Sequence, residues 1–207
     1  MEIFIVRHGE SEGNRDNKFR GRMDFSLTER GQLQAKETGN YLKQYGNFDI
    51  IFTSPLIRAK QTADILSTFL NSEVVVEQSI HNIKLGEWEG KGKDEIRTKY
   101  PDKWQIWIKE PEKLVLPNGE SIGDVKKRST RWLLSIVNKD YKKIVVVTHR
   151  AVIKPLLAGI LEVKPPYFWK FHIDTGSFSI VRYERNIFTL ALLNQTSHLT
   201  SFNIEKV

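Results

Sequence analysis

The segment Phe4 to Ser11 reads FIVRHGES, and its Arg7-His8 pair is of a type that suits chemistry on an anion. A guanidinium stays charged at any physiological pH and offers phosphate or carboxylate a planar fork of donors. A histidine beside it can serve as nucleophile, base or proton donor near neutrality. The same arrangement recurs twice more. DIIFTSPLIRAKQTA, around Ser54, carries Arg58, and KIVVVTHRAVIK carries His149. In each case the chemical residue follows an apolar, β-branched run: Ile3 to Val6, Ile50 to Thr53 and Ile144 to Val147. Such runs predict buried strands, and open α/β sheets place ligands beyond the carboxyl ends of their strands. Three strand ends would then gather Arg7, His8, Arg58 and His149.

The elements that must position them alternate. Thr28 starts a helix to about Tyr45, with Leu33, Ala35, Leu42 and Tyr45 as buried candidates. Ser54 and Pro55 read as an N-cap and first-turn proline opening a helix to about Phe69. Glu73 to Glu77 is a strand, and residues 79–118 form an excursion with two short helices. Ser121 caps a helix to about Val137, with Asp124 completing a capping box. Beyond His149 come a helix to about Leu161, a turn of helix over Pro165 to Lys170, and strands near Ser177–Arg182 and Phe188–Leu193. The expected fold is α/β, a mostly parallel sheet with helices on both faces. The excursion, which holds Trp88, Trp104 and Trp107, would pack as a small helical cap over the site; Trp169 lies further along the chain.

Bulk properties agree. The 207 residues suit one domain spanning 1–207, and neither a membrane-length apolar run nor a basic-then-apolar leader is visible. The expectation is a soluble, cytoplasmic chain. With no cysteine, disulfides and thiolate chemistry are excluded. The net charge of +7 is spread among 25 acidic residues rather than gathered in a basic arm, which argues against nucleic acid as partner. No cluster has metal-ligand spacing, so neither a catalytic metal nor another cofactor is expected.

Taken in order, FIVRHGES, Asn14, RGRMDFSLTERGQLQA, TSPLIRAKQTA, LGEWEG at Leu85–Gly90, GES at Gly119–Ser121, VVVTHRAVIK and LLNQTSHL resemble the histidine phosphatase, or phosphoglycerate mutase-like, superfamily. The resemblance implies a phosphatase that acts on a small phosphorylated metabolite. His8 would be the nucleophile that forms a phosphohistidine, Arg7, Arg58 and His149 the phosphate cradle, and Asn14, Arg20 and Gly21 substrate-binding positions. Within the superfamily the chain is most similar to α-ribazole phosphatases and metal-independent phosphoserine phosphatases. A mutase is the less favoured alternative, because the segment where mutases carry an Asn-Glu-Arg-His-Tyr-Gly-like motif reads HNIKLG here. Homodimerisation is left open.

One position departs from the pattern. The family's proton donor is usually a glutamate four residues before the glycine of the GEWEG-like segment, and counting back from Gly86 reaches Asn82. An amide has no proton to release, whereas general acid catalysis is worth ~10²–10⁴-fold. Asn82 is compatible with a slow or altered enzyme, with a phosphate-binding partner protein of little activity, or with a substitution introduced to trap a ligand. Arg150 is a second departure, since the family more often has a small residue there.

Overall fold

The computed structural model describes residues 1–201; residues 202–207, at the end of the predicted domain span, lie outside the described residues. In chain order the strands and α-helices are β1 (Glu2–Arg7), α1 (Glu12–Arg15), α2 (Glu29–Leu42), β2 (Ile50–Thr53), α3 (Ile57–Leu70), β3 (Val74–Val76), α4 (Lys93–Lys99), α5 (Pro101–Lys109), α6 (Ile122–Ile136), β4 (Lys143–Thr148), α7 (Arg150–Ile160), β5 (Phe178–Glu184) and β6 (Ile187–Gln195). The six strands form one sheet in the order β3-β2-β4-β1-β5-β6. β3, β2, β4 and β1 are mutually parallel; β5 pairs antiparallel with β1, and β6 antiparallel with β5.

The central strands are apolar on both faces because both faces are covered. Along β1, Ile3 and Ile5 enter the core shared with α6, α7 and the 79–118 excursion, whereas Phe4 and Val6 enter the core shared with α2 and α3. β4 alternates in the same way, with Ile144 and Val146 on one side and Val145 and Val147 on the other. Within the excursion, Trp88 and Trp107 are buried and pack with Phe19, at ring-centroid distances of 4.9 and 5.7 Å. No helix among the described residues is long and apolar enough to cross a membrane.

Two local expectations are corrected. Ser54 and Pro55 do not cap α3, which begins at Ile57 with Leu56 as N-cap. Asp24 reaches the helix start from another loop and accepts from the Ile57 amide at 2.8 Å, so Ser54 is left for another partner. Leu33 is not buried but 44% exposed. The inward stripe of α2 is Gly31, Gln34, Ala35, Thr38, Gly39 and Leu42, a helical period that leaves Leu33 on the outer face. Ser121 and Asp124 form the expected capping box on α6, and Thr28 caps α2 by accepting from the Gly31 amide.

The start of α2 lies against the loop that follows β1. A Cβ at Gly9 would run into the carbonyl of Gly31, and one at Gly31 into the carbonyl of Glu10. Both partners are backbone, so neither can yield without moving the loop. Gly31→Ala therefore sets a helix-propensity gain of about 1 kcal/mol against an overpacking cost of about 1–3 kcal/mol. The clash should win: urea unfolding should show net destabilisation with unchanged m, and a gain in stability would refute the close approach.

Candidate active site

The register of β1 on β4 pairs Arg7 with Thr148, so the next residues, His8 and His149, leave the sheet side by side. Their ring centroids lie 5.0 Å apart and both residues are buried. His8 Nδ1 lies 2.7 Å from the Gly9 carbonyl. A carbonyl can only accept, so Nδ1 carries the proton and Nε2 holds the lone pair in the neutral ring. His149 Nε2 lies 2.7 Å from Ser54 Oγ, and its Nδ1 has no partner among the described residues.

Three arginines converge here. Arg7 donates to the Ile173 carbonyl at 2.8 Å. Arg58, completely buried on the first turn of α3, donates to the carbonyls of Met23 and Gly21 at 2.9 and 3.1 Å. Burial first, and then Arg20, bring its pKa down to about 9, so it remains charged at neutral pH. Burial, followed by Arg58 and Arg7, pushes His8 well below the ordinary imidazole value. Burial and Arg58 do the same to His149. Two neutral imidazoles beneath fixed cations form a site that attracts an anion while leaving a ring nitrogen unprotonated.

These groups open onto one pocket. Arg7, His8, Arg20, Gly21, Asn82 and His149 all line it, at the carboxyl ends of β1 and β4. A model of the histidine phosphatase superfamily (branch 1) matches residues 3–196. The chain belongs to that superfamily. It is 33% identical to phosphoserine phosphatase 1 of Hydrogenobacter thermophilus over 99% of this chain and 97% of that protein. It is 26% identical to the adenosylcobalamin/α-ribazole phosphatase of Escherichia coli, over 94% of this chain and 96% of that one. The solved structure of Bacillus stearothermophilus YhfR superposes with a TM-score of 0.90 at 28% identity, covering 96% of this chain and 98% of that one.

In this histidine phosphatase, Asn82 is buried at the pocket wall and donates from Nδ2 to the Gly21 carbonyl at 2.7 Å. Its Oδ1 has no hydrogen-bond partner among the described residues. Gly21 sits at φ +48°, a conformation that favours glycine, and its carbonyl serves both Asn82 and Arg58. Arg58 and Asn14 are the predicted site residues that do not line the pocket. Arg58 backs the two histidines, and Asn14, at the end of the first turn of α1, accepts from the Ser11 hydroxyl at 2.7 Å. Among the described residues no group of three or more His, Cys, Asp or Glu side chains is placed to hold a metal ion. Of the three remaining histidines, His172 meets Asp174 at 2.9 Å and His198 meets Thr38 at 3.0 Å, while His81, next to Asn82, is half-buried, and burial followed by Arg22 pushes its pKa down to about 4.

Sequence reasoning missed Ser54 as a partner of His149 and missed most of the far wall of the pocket. That wall holds Trp107, from the excursion expected to cap the site, together with Lys18, Phe19, Lys93, Phe168 and Trp169. Ser54 had a signal, because it is the residue just past β2. The other five wall residues had none, since they come from separate segments that only tertiary packing brings together.

The buried histidines make stability depend on pH. Each has a folded pKa below its unfolded value near 6.5, so the unfolded chain binds more protons below that pH. Their contribution is complete above pH 6.5 and is lost as the pH falls, at up to about 1.4 kcal/mol per pH unit for each histidine. Urea unfolding at pH 5 and pH 7 should show this loss, and His149→Gln should show less of it. Equal slopes in the two proteins would contradict the burial of a neutral His149.

Proposed function

We propose that this chain is a phosphatase that hydrolyses small phosphomonoesters through a phosphohistidine on His8, without a metal, with phosphoserine as the leading substrate. The observation that carries this reading is the His8 ring. Its Nδ1 proton is spent on the Gly9 carbonyl, which leaves the Nε2 lone pair as the nucleophile beside three guanidiniums. In the first step Nε2 bonds to phosphorus and the ester P–O bond breaks, the departing alkoxide taking a proton from water to leave as the alcohol; in the second, water attacks the phosphohistidine and releases phosphate. Phosphoryl transfer of this kind depends mainly on positioning and on charge stabilisation of the equatorial oxygens. Arg7, Arg58 and His149 are assigned that role, with Arg20, Gly21 and Asn14 receiving the substrate. With Asn14 Oδ1 accepting from Ser11, its Nδ2 is the end that can donate to a phosphoryl oxygen. The named phosphoserine phosphatase relative supports the substrate class.

Mixed with a reactive phosphomonoester and quenched, the protein should carry acid-labile phosphate on His8, and His8→Ala should lose both label and turnover. Label on serine or aspartate would overturn the mechanism. Vanadate should inhibit and EDTA should not; loss of turnover in EDTA with recovery on adding a divalent ion would refute the metal-free reading.

Asn82 favours a second reading, a phosphate-binding chain with little turnover. The Gly21 carbonyl beside it selects a donor, and a protonated carboxyl could fill that place as well as an amide does. The leaving group decides how much this matters. An alkyl phosphate departs as a strongly basic alkoxide, whereas p-nitrophenyl phosphate departs as a weakly basic phenolate. Asn82→Glu should raise turnover of phosphoserine by at least ~10-fold, with a much smaller gain on the nitrophenyl ester. Equal gains would indicate altered binding instead, and no gain on either would remove Asn82 from the proton-donor position.

A further inference from the structure

Two buried imidazoles share the pocket, and each turns one ring nitrogen to the protein. His8 turns Nδ1 to the Gly9 carbonyl, which can only accept. His149 turns Nε2 to the Ser54 hydroxyl at 2.7 Å, a group that can donate or accept. Ser54 is fully buried just past β2, and its amide donates to the Val147 carbonyl at 3.0 Å, so the backbone of β4 fixes it beside the histidine. With Asp24 serving the start of α3, no amide of that helix claims the hydroxyl.

Among the described residues the Ser54 hydroxyl meets no group other than His149 Nε2, and His149 Nδ1 meets none. A neutral ring leaves two ways to place the protons. With the proton on Nε2, the ring donates to Oγ; the buried serine proton then has no acceptor, and Nδ1 turns a lone pair to any anion beside it. With the proton on Nδ1, the hydroxyl donates to Nε2, and the one donor left unmet is the Nδ1–H. His149 lines the pocket, where a phosphoryl oxygen can meet that donor, whereas Ser54 does not line it. A buried donor without an acceptor costs more than a typical hydrogen bond contributes, so a bound anion selects the second arrangement.

We infer that Ser54 is a positioning residue: its hydroxyl donates to His149 Nε2 and so holds the ring proton on Nδ1, the nitrogen that meets a phosphoryl oxygen. This inference rests on the phosphatase reading above and gives the two rings opposite duties. His8 presents a lone pair to phosphorus, and His149 presents an N–H to an equatorial oxygen, with neither ring charged. A carbonyl sets the first ring and a hydroxyl the second.

Histidine ¹H–¹⁵N correlation spectra of the orthovanadate complex test the assignment directly. In the wild-type complex His149 should be neutral, with the proton on Nδ1 and Nε2 accepting. A proton on Nε2, in the other tautomer or in an imidazolium, would overturn it, and this reading stands whether or not any variant folds. Ser54→Ala should bind vanadate about tenfold more weakly, the scale of one charge-assisted contact, and should lower kcat for p-nitrophenyl phosphate by about as much, with KM moving less. Ser54→Thr keeps the hydroxyl and should recover most of both losses, together with the wild-type His149 tautomer. Equal losses in the two variants would mean that Ser54 acts through packing and would overturn the inference. A wild type that turns over neither phosphoserine nor p-nitrophenyl phosphate refutes the phosphatase reading, while its vanadate complex still decides the role of Ser54; absence of vanadate binding refutes both.

Discussion

The parallel register of β1 on β4 is the constraint on which the site depends. Because Arg7 pairs with Thr148, His8 and His149 emerge together at one edge of the sheet, with their ring centroids 5.0 Å apart and both rings out of water. A one-residue slip would send one of them to the opposite face. Once adjacent and buried under Arg58 and Arg7, the imidazoles are driven to their neutral forms. The Gly9 carbonyl then settles which His8 nitrogen carries the remaining proton. A neutral ring whose lone pair faces captive positive charge combines nucleophilicity with anion affinity, two properties that conflict in water.

Holding this arrangement takes support from distant parts of the chain. Backbone contact at Gly9 and Gly31 wedges α2 against the His8 loop. Arg58 is anchored by the carbonyls of Gly21 and Met23, so its position follows the loop that leads to α2. The segment bearing Asn82 is held by Arg128, which donates to the carbonyls of Ser79 and His81 at 2.7 and 2.6 Å and pairs with Glu120 at 2.9 Å. Arg22 joins it on the same partners, donating to the Asn82 carbonyl at 3.1 Å and pairing with Glu120 at 3.0 Å. A buried or half-buried guanidinium is costly unless its donors are met. Here backbone carbonyls, joined by the Glu120 carboxylate, meet most of them, so the charges are tied to the fold.

Much of this was legible because the strand runs announce themselves. FIVRH and VVVTH each pair a β-branched run with a chemical residue at its end, and covering both sheet faces requires just such runs. The elements from Thr28 to β6 followed from periodicity and caps, and Ser121 with Asp124 formed the box their spacing predicts. What was not legible depends on long-range contacts. Asp24 takes over the start of α3 from 33 residues upstream, which frees Ser54 for His149, and no local pattern encodes that exchange. Leu33 was misplaced because the stripe that faces inward on α2 is made of Gly, Gln, Ala and Thr as well as Leu. Asn14 was placed from the family pattern; in the structure its carbonyl oxygen caps its own short helix. Trp107 was expected over the site as part of the cap, but Phe19, Phe168, Trp169 and the two lysines beside it come from segments far apart in the chain, and only the folded pocket makes them neighbours.

The central claim is the protonation state of one ring. Long-range ¹H–¹⁵N correlation spectra of the histidine side chains, recorded on the resting protein between pH 6 and pH 8, read it directly. The account predicts that His8 stays neutral throughout, with the proton on Nδ1 and an unprotonated Nε2. A protonated Nε2, whether in an imidazolium or in the other tautomer, would leave no lone pair facing the pocket and would contradict it.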